Sequence, residues 1–120
     1  MPNLGLKGSF DFNGPTIDAQ ISRTSPGNYA LGYVNGNIFY VLYVGRDDVD
    51  VNKRLHQHLY DSPNYKSFYW DYATSPKSAF EKECSNYHDF GGPEGKLYNK
   101  IHPARPDGAN WKCPRCGFFN

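Results

Sequence analysis

The chain has 120 residues and a formal net charge of +1, and its large side chains are mostly aromatic, with ten Tyr, eight Phe and two Trp. This length suits one compact domain, and the near-neutral charge argues against nucleic-acid binding through overall basic charge. The first ten residues lack the apolar run and basic flank of a signal peptide, and no stretch is apolar enough to span a bilayer. With three cysteines, an odd count, these features predict a cytoplasmic protein (or a nuclear one in a eukaryote) without a disulfide scaffold.

Residues 1–26 are rich in Gly and Pro and contain only short apolar pieces, Ser9 to Phe12 and Thr16 to Ile21. One of these pieces is a candidate for an added edge strand. We interpret residues 1–26 as an N-terminal extension.

A β-hairpin is predicted next. The first strand lies near Asn28 to Val34 and ends at an Asn35-Gly36-Asn37 turn. Asn and Gly tolerate the positive φ of a tight turn, so Asn-Gly between two strand-like runs is a strong hairpin signal. The return strand, Ile38 to Val44, is an unbroken apolar and aromatic run, which predicts a strand covered on both faces.

A helix is predicted over residues 48–59, with Asp48 or Asp50 as its N-cap and apolar residues at i, i+4 and i+8. Alternating side chains from Tyr65 to Ala73 then predict a third, half-buried strand.

A second helix is predicted over residues 76–90, with Ser75 as its cap and Pro76 in its first turn; Gly91-Gly92 would end it. The elements together predict an α/β fold, a small mixed sheet of three or more strands flanked by helices. Of the two glutamates on this helix, Glu83 lies closer to the buried stripe than Glu81.

The hairpin and the first helix carry a family resemblance. Gly27-Asn28-Tyr29, then Tyr43-Val44-Gly45, then Arg54 and His58 one helical turn apart, resemble the opening half of the GIY-YIG nuclease domain. The resemblance covers roughly residues 27–99. Asn28 and Val44 stand where the family usually has isoleucine.

The resemblance implies a metal-dependent endonuclease that hydrolyses phosphodiester bonds of nucleic acid, with DNA as the expected partner. It implies one site built from six residues: Tyr29, Tyr43, Arg54, His58, Glu83 and Asn99. The tyrosines would activate and position water, and the arginine would stabilise the developing charge on phosphorus. The glutamate would hold Mg²⁺ or Mn²⁺, while the histidine and the asparagine would support the site.

Three alternatives stay open within this interpretation. The spacing between Tyr29 and Tyr43 is wider than is typical of the family, so Tyr33 could replace Tyr29. Glu81 could replace Glu83. The whole domain could also be a catalytically inactive module that binds nucleic acid or protein, which the near-neutral charge and the altered triplets favour.

Residues 100–120 are interpreted as a C-terminal tail that packs on the domain. Its Cys113-Pro-Arg-Cys116 sequence is half of a zinc knuckle, in which a turn presents two thiolates to one metal ion. Cys84 and His88 stand at i and i+4 on the second helix and would complete a Cys₃His zinc site, with His102 as a substitute for His88.

Overall fold

The computed structural model describes residues 4–91, 97–99, 102–106 and 108–117. Seven helices and strands occur in these ranges: β1 (Lys7–Asp11), α1 (Gly14–Gln20), β2 (Gly27–Asn35), β3 (Ile38–Asp47), α2 (Val51–Gln57), β4 (Ser67–Tyr72) and α3 (Pro76–Asp89). The strands form one sheet in the order β1-β4-β2-β3, and each described pairing is antiparallel. The predicted α/β fold, a small sheet flanked by helices, is confirmed.

The N-terminal segment belongs to this sheet. Strand β1 pairs with β4 at one edge, and α1 follows it directly. Asn13 caps α1 by accepting a hydrogen bond from the Thr16 backbone N–H at 2.8 Å. Within the helix, the side chain of Ile17 is fully buried. The described part of residues 1–26 therefore contributes a strand and a helix to the same structural unit as the hairpin.

The hairpin turns where the sequence predicts, and Gly36 takes the positive φ of 65° that the turn requires. Strand β3 runs three residues beyond Val44 and contains a bulge, because Leu31 faces Tyr43 but the next residue of β2 faces Val41. The prediction that Ile38 to Val44 is covered on both faces is wrong. β3 lies at the edge of the sheet, and its alternate residues Ile38 and Tyr40 are 47% and 40% exposed, so one face of its first half is open to solvent. β2, which lies between β3 and β4, is the strand covered on both faces.

Two apolar layers cover the central strand. On one face, Tyr29 and Leu31 join a cluster with residues of α1 and α2, among them Ile17 and Leu55. On the other face, Ala30 packs in a cluster with Tyr87 of α3. Alternate residues of β2 thus point into opposite layers, as the two-residue repeat of a strand requires.

Both later helices begin at polar caps. Asp50, rather than Asp48, caps α2 by accepting from the Lys53 backbone N–H at 3.3 Å. Ser75 caps α3, with Pro76 in the first turn as predicted, and the helix ends at Asp89, just before Gly91 with its φ of 97°. Gly92, the second half of the predicted stop, lies outside the described residues.

The described parts of the C-terminal region pack on the domain. The Tyr98 backbone N–H donates to the carbonyl of Leu42 on the edge strand at 2.5 Å. Further along, Trp111 and Cys113 pack against Phe80 of α3.

Among the described helices, none has the length and apolarity needed to cross a membrane.

Candidate functional site

A cleft of about 410 Å³ opens where β2, β3, α2 and α3 meet. Ten residues line it: Tyr29, Tyr43, Gly45, Arg46, Asp47, Asp48, Val49, Arg54, Glu83 and Ala104. Four of the six predicted site residues are in this set. Of the other two, His58 contacts the lining residue Tyr29, and Asn99 binds the backbone of Val44, which lies between the lining residues Tyr43 and Gly45.

The two tyrosines lie side by side in the cleft. Their rings are stacked, with centroids 6.3 Å apart and an interplanar angle of 15°. The Tyr29 hydroxyl lies 2.6 Å from Nε2 of His58. Burial raises the pKa of Tyr29 well above 10, and burial together with the nearby Glu83 carboxylate raises the pKa of Tyr43. Both phenols therefore hold their protons at neutral pH, so a partner must accept a proton if either one is to take one from water.

Gly45 provides the space that Tyr29 needs. The two residues face each other across β2 and β3, and a Cβ added at Gly45 would lie 2.4 Å from the Tyr29 ring and hydroxyl. The spacing between Tyr29 and Tyr43 is wider than is typical, and the bulge in β3 accommodates one of the additional residues. Tyr33 stacks on Tyr40 with centroids 5.2 Å apart and does not line the cleft, so the geometry favours Tyr29 over Tyr33.

Arg54 enters the cleft from α2. Its side chain is 46% exposed, and its Nε donates to Oδ1 of Asp47 at 3.1 Å. Burial by itself would raise the pKa of Asp47, but the backbone N–H groups of Asp50 and Val49 and the Arg54 guanidinium outweigh it, so its pKa is lowered and it stays a carboxylate. Asp47 therefore holds the Arg54 guanidinium in place through Nε, while other N–H donors of the guanidinium remain accessible to solvent. This arrangement is suited to binding a phosphate.

Glu83 enters from α3 and is paired with a residue that the sequence analysis did not select. Oε1 of Glu83 lies 2.5 Å from Nη1 of Arg46, and both side chains are only 11% exposed. Burial raises the pKa of Glu83 to about 7, although the adjacent guanidinium favours the carboxylate. Glu81 does not line the cleft, so the geometry supports Glu83 as the site carboxylate.

Arg46 connects three parts of the molecule. Besides Glu83, it binds Oδ1 of Asp48 through Nε at 2.8 Å and the carbonyl of Ala104 through Nη2 at 2.7 Å. The signal in the sequence is the charged run Arg-Asp-Asp directly after Tyr43-Val44-Gly45, at the end of a strand whose side chains form the site. From the sequence, Asp48 of this run is interpreted only as a possible N-cap of the first helix.

Two buried asparagines support the cleft. The side-chain amide of Asn99 accepts from the Val44 N–H at 3.0 Å and donates to the Val44 carbonyl at 2.8 Å, which fixes β3 one residue from Gly45. Asn28 donates to the Ala79 carbonyl at 2.9 Å and ties β2 to α3. Its amide is therefore satisfied in the core.

A second group of polar side chains lies where the tail meets the end of α3. The ligand atoms of His88, His102, Cys113 and Cys116 all lie within 4.8 Å of one another, so the group could hold a metal ion. Burial lowers the pKa of His88, which favours the neutral imidazole that binds metals. The backbone N–H of Arg115 donates to Sγ of Cys113 at 3.4 Å.

Cys84, predicted as a ligand, is not a member of this group among the described residues. It is fully buried in a cluster with Phe80 and Cys113, and burial raises the pKa of its thiol far above the ordinary value. His102 takes the remaining place because residues 102–106 pass beside the last turn of α3, with the Nε2 atoms of His88 and His102 3.3 Å apart. His88 is the predicted histidine ligand and His102 the alternative to it, whereas both histidines belong to this group.

Comparisons with protein-family models, with curated proteins and with solved structures find no match to this chain.

Proposed function

We propose that this protein is a GIY-YIG-type endonuclease that hydrolyses phosphodiester bonds of DNA with the help of a divalent cation. The observation that carries the proposal is the convergence of Tyr29, Tyr43, Arg54 and Glu83 on one cleft. These residues come from a hairpin and two helices that are well separated in the sequence. A purely structural role for each of them would not require that they meet around one open cavity.

The chemistry of the four side chains suits phosphoryl transfer to water. The paired phenols, with His58 behind Tyr29, provide positions for a water and a route for its proton. Arg54 offers its guanidinium fork to the non-bridging oxygens, where negative charge develops in the transition state.

Glu83 is the residue that would hold Mg²⁺ or Mn²⁺ in this proposal. Magnesium is commonly bound through one or two carboxylates together with waters and substrate phosphates, and Asp47 and Asp48 lie in the same cleft. A carboxyl with a pKa of about 7 releases its proton readily when a cation binds, so the donor set fits. The ion would add charge stabilisation at the phosphate.

The test is a nicking assay on supercoiled plasmid DNA with Mg²⁺ or Mn²⁺. The parent protein is expected to convert the plasmid to relaxed circles, and Glu83→Ala to abolish this conversion. Glu81→Ala, on the same helix, is the matched control and should cut at the parental rate. Retention of cutting in Glu83→Ala with loss in Glu81→Ala would reverse the assignment of the two glutamates.

A second candidate is an inactive module that binds nucleic acid or protein. The Arg46–Glu83 ion pair favours it, because a guanidinium already neutralises the carboxylate that a catalytic cation would need. Binding of DNA without cleavage in any divalent cation, unchanged by Glu83→Ala, would support this candidate over the nuclease.

We further propose that the group formed by His88, His102, Cys113 and Cys116 binds structural zinc. Four ligands at ~2.0–2.3 Å from a tetrahedral ion lie about 3.3–3.8 Å apart. Nε2 of His102 lies 3.3 Å from Nε2 of His88 and 3.4 Å from Sγ of Cys116, and these separations fit. Two thiolates and two imidazoles form a common zinc ligand set. Elemental analysis of untagged protein should give one zinc per chain.

A further inference from the structure

The side chain behind Tyr29 has a second hydrogen-bond partner that points away from the cleft. Nδ1 of His58 lies 2.7 Å from Oδ2 of Asp61, while Nε2 faces the Tyr29 hydroxyl at 2.6 Å. The histidine side chain is 12% exposed and the aspartate side chain is 53% exposed. The three groups form a line of hydrogen bonds from the protein surface to the buried phenol.

The line has a defined direction. A carboxylate only accepts hydrogen bonds, so the proton of a neutral His58 ring lies on Nδ1 and points at Asp61. Nε2 is then an acceptor, and the Tyr29 hydroxyl must donate to it. Without Asp61, the ring could equally place its proton on Nε2 and donate to the phenolic oxygen, and Nε2 could not then take a proton from Tyr29.

Packing leaves the imidazole little other freedom. The His58 ring contacts both tyrosine rings, with centroids 5.4 Å from Tyr29 and 5.1 Å from Tyr43. Asp61 is placed by a turn after α2, in which its backbone N–H donates to the His58 carbonyl at 3.1 Å. The two tyrosine rings restrict the orientation of the His58 ring, and the backbone turn places the Asp61 carboxylate beside Nδ1 of that ring.

We propose that Asp61 is a positioning residue that fixes the tautomer of His58, so that His58 can accept the phenolic proton of Tyr29. The proposal rests on the hydrolysis proposed above. As a water attacks phosphorus, the new P–O bond forms and the bond to the leaving oxygen breaks. The leaving oxygen keeps the electron pair and takes a proton from solvent. The water's proton passes to the Tyr29 oxygen, the phenolic proton passes to Nε2 of His58, and the imidazolium later releases it to solvent.

The chain offers a matched control for this proposal. His56, on the same helix, has Nε2 2.9 Å from Oδ1 of Asp18, but this pair does not line the cleft. Asp61→Ala and Asp18→Ala each remove a carboxylate from beside a histidine. Both aspartates are largely exposed, so neither substitution should prevent folding.

The experiment measures ring ¹⁵N chemical shifts of histidine at about pH 8, where an ordinary imidazole is neutral, together with plasmid nicking. Asp61→Ala should move His58 from the Nδ1–H form towards the Nε2–H form and reduce nicking about tenfold or more. Asp18→Ala should change neither.

An unchanged His58 tautomer in Asp61→Ala would overturn the proposal. So would a changed tautomer with parental nicking, which would leave the nuclease assignment intact. If the parent does not cut DNA, the proposed function fails, while the ¹⁵N shifts still decide whether Asp61 sets the tautomer.

Discussion

The Glu83→Gln substitution separates the chemistry of the cleft from the stability of the fold. Burial raises the pKa of Glu83 from an ordinary 4.5 to about 7, so the folded chain holds this proton more tightly than the unfolded chain. The resulting stability is fully present below about pH 4.5 and is lost as the pH rises through about 7. A pKa difference of about 2.5 corresponds to about 3 kcal/mol.

Glutamine has nearly the shape of the protonated carboxyl and cannot ionise. Glu83→Gln should therefore match the parent in stability at about pH 4 and exceed it by about 3 kcal/mol above pH 7, or about 10 °C in Tm, without added Mg²⁺. Nicking should be lost. Thermal unfolding from about pH 4 to 8 measures the difference, and Glu81→Gln, the control, should stay within about 0.5 kcal/mol of the parent.

A glutamine variant that is less stable than the parent at about pH 8 would refute this reasoning. So would a stability difference that does not change with pH. Either result would mean that the ion pair with Arg46, rather than the burial of the carboxylate, decides the energy of this site.

Three further predictions address other parts of the site. Arg54→Lys keeps the charge but loses the planar fork, so nicking should fall about 100-fold with unchanged circular dichroism; parental nicking would mean that the charge alone suffices. His102→Asn should release the tail metal in elemental analysis, whereas Cys84→Ser should retain it; equal loss from both would return Cys84 to the ligand set. Gly45→Ala places a Cβ 2.4 Å from the Tyr29 ring, so it should cost about 1–3 kcal/mol and lower Tm by roughly 4–12 °C, with weaker nicking. An unchanged Tm would show that the ring moves aside at no cost.

Features set by neighbouring residues could be predicted from the sequence. The Asn35-Gly36 turn and the Ser75 cap depend on backbone preferences that act over two or three residues, and both occur as predicted. The preference for Glu83 over Glu81 follows from the angular spacing of a helix, and the structure places Glu83 in the cleft.

Features set by the packing of distant segments could not be predicted in the same way. The order of strands, which makes β3 an edge, depends on β4 pairing with β2, and the apolar run of β3 carries no sign of this. The choice of His102 over Cys84 depends on where the tail crosses α3. The pairing of Arg46 with Glu83 likewise joins residues 37 positions apart.

The hydrogen bonds of Asn99 also bear on how the sheet behaves in contact with other chains. An edge strand with unpaired N–H and C=O groups is a template on which a foreign strand can add. The Asn99 amide satisfies both groups of Val44, and the Tyr98 N–H satisfies the Leu42 carbonyl. Tyr98 and Asn99 thereby occupy the edge of β3 at Leu42 and Val44, where a strand of another chain would otherwise pair. Asn99, which we propose supports hydrolysis, therefore also covers part of a sheet edge that would otherwise be open to pairing.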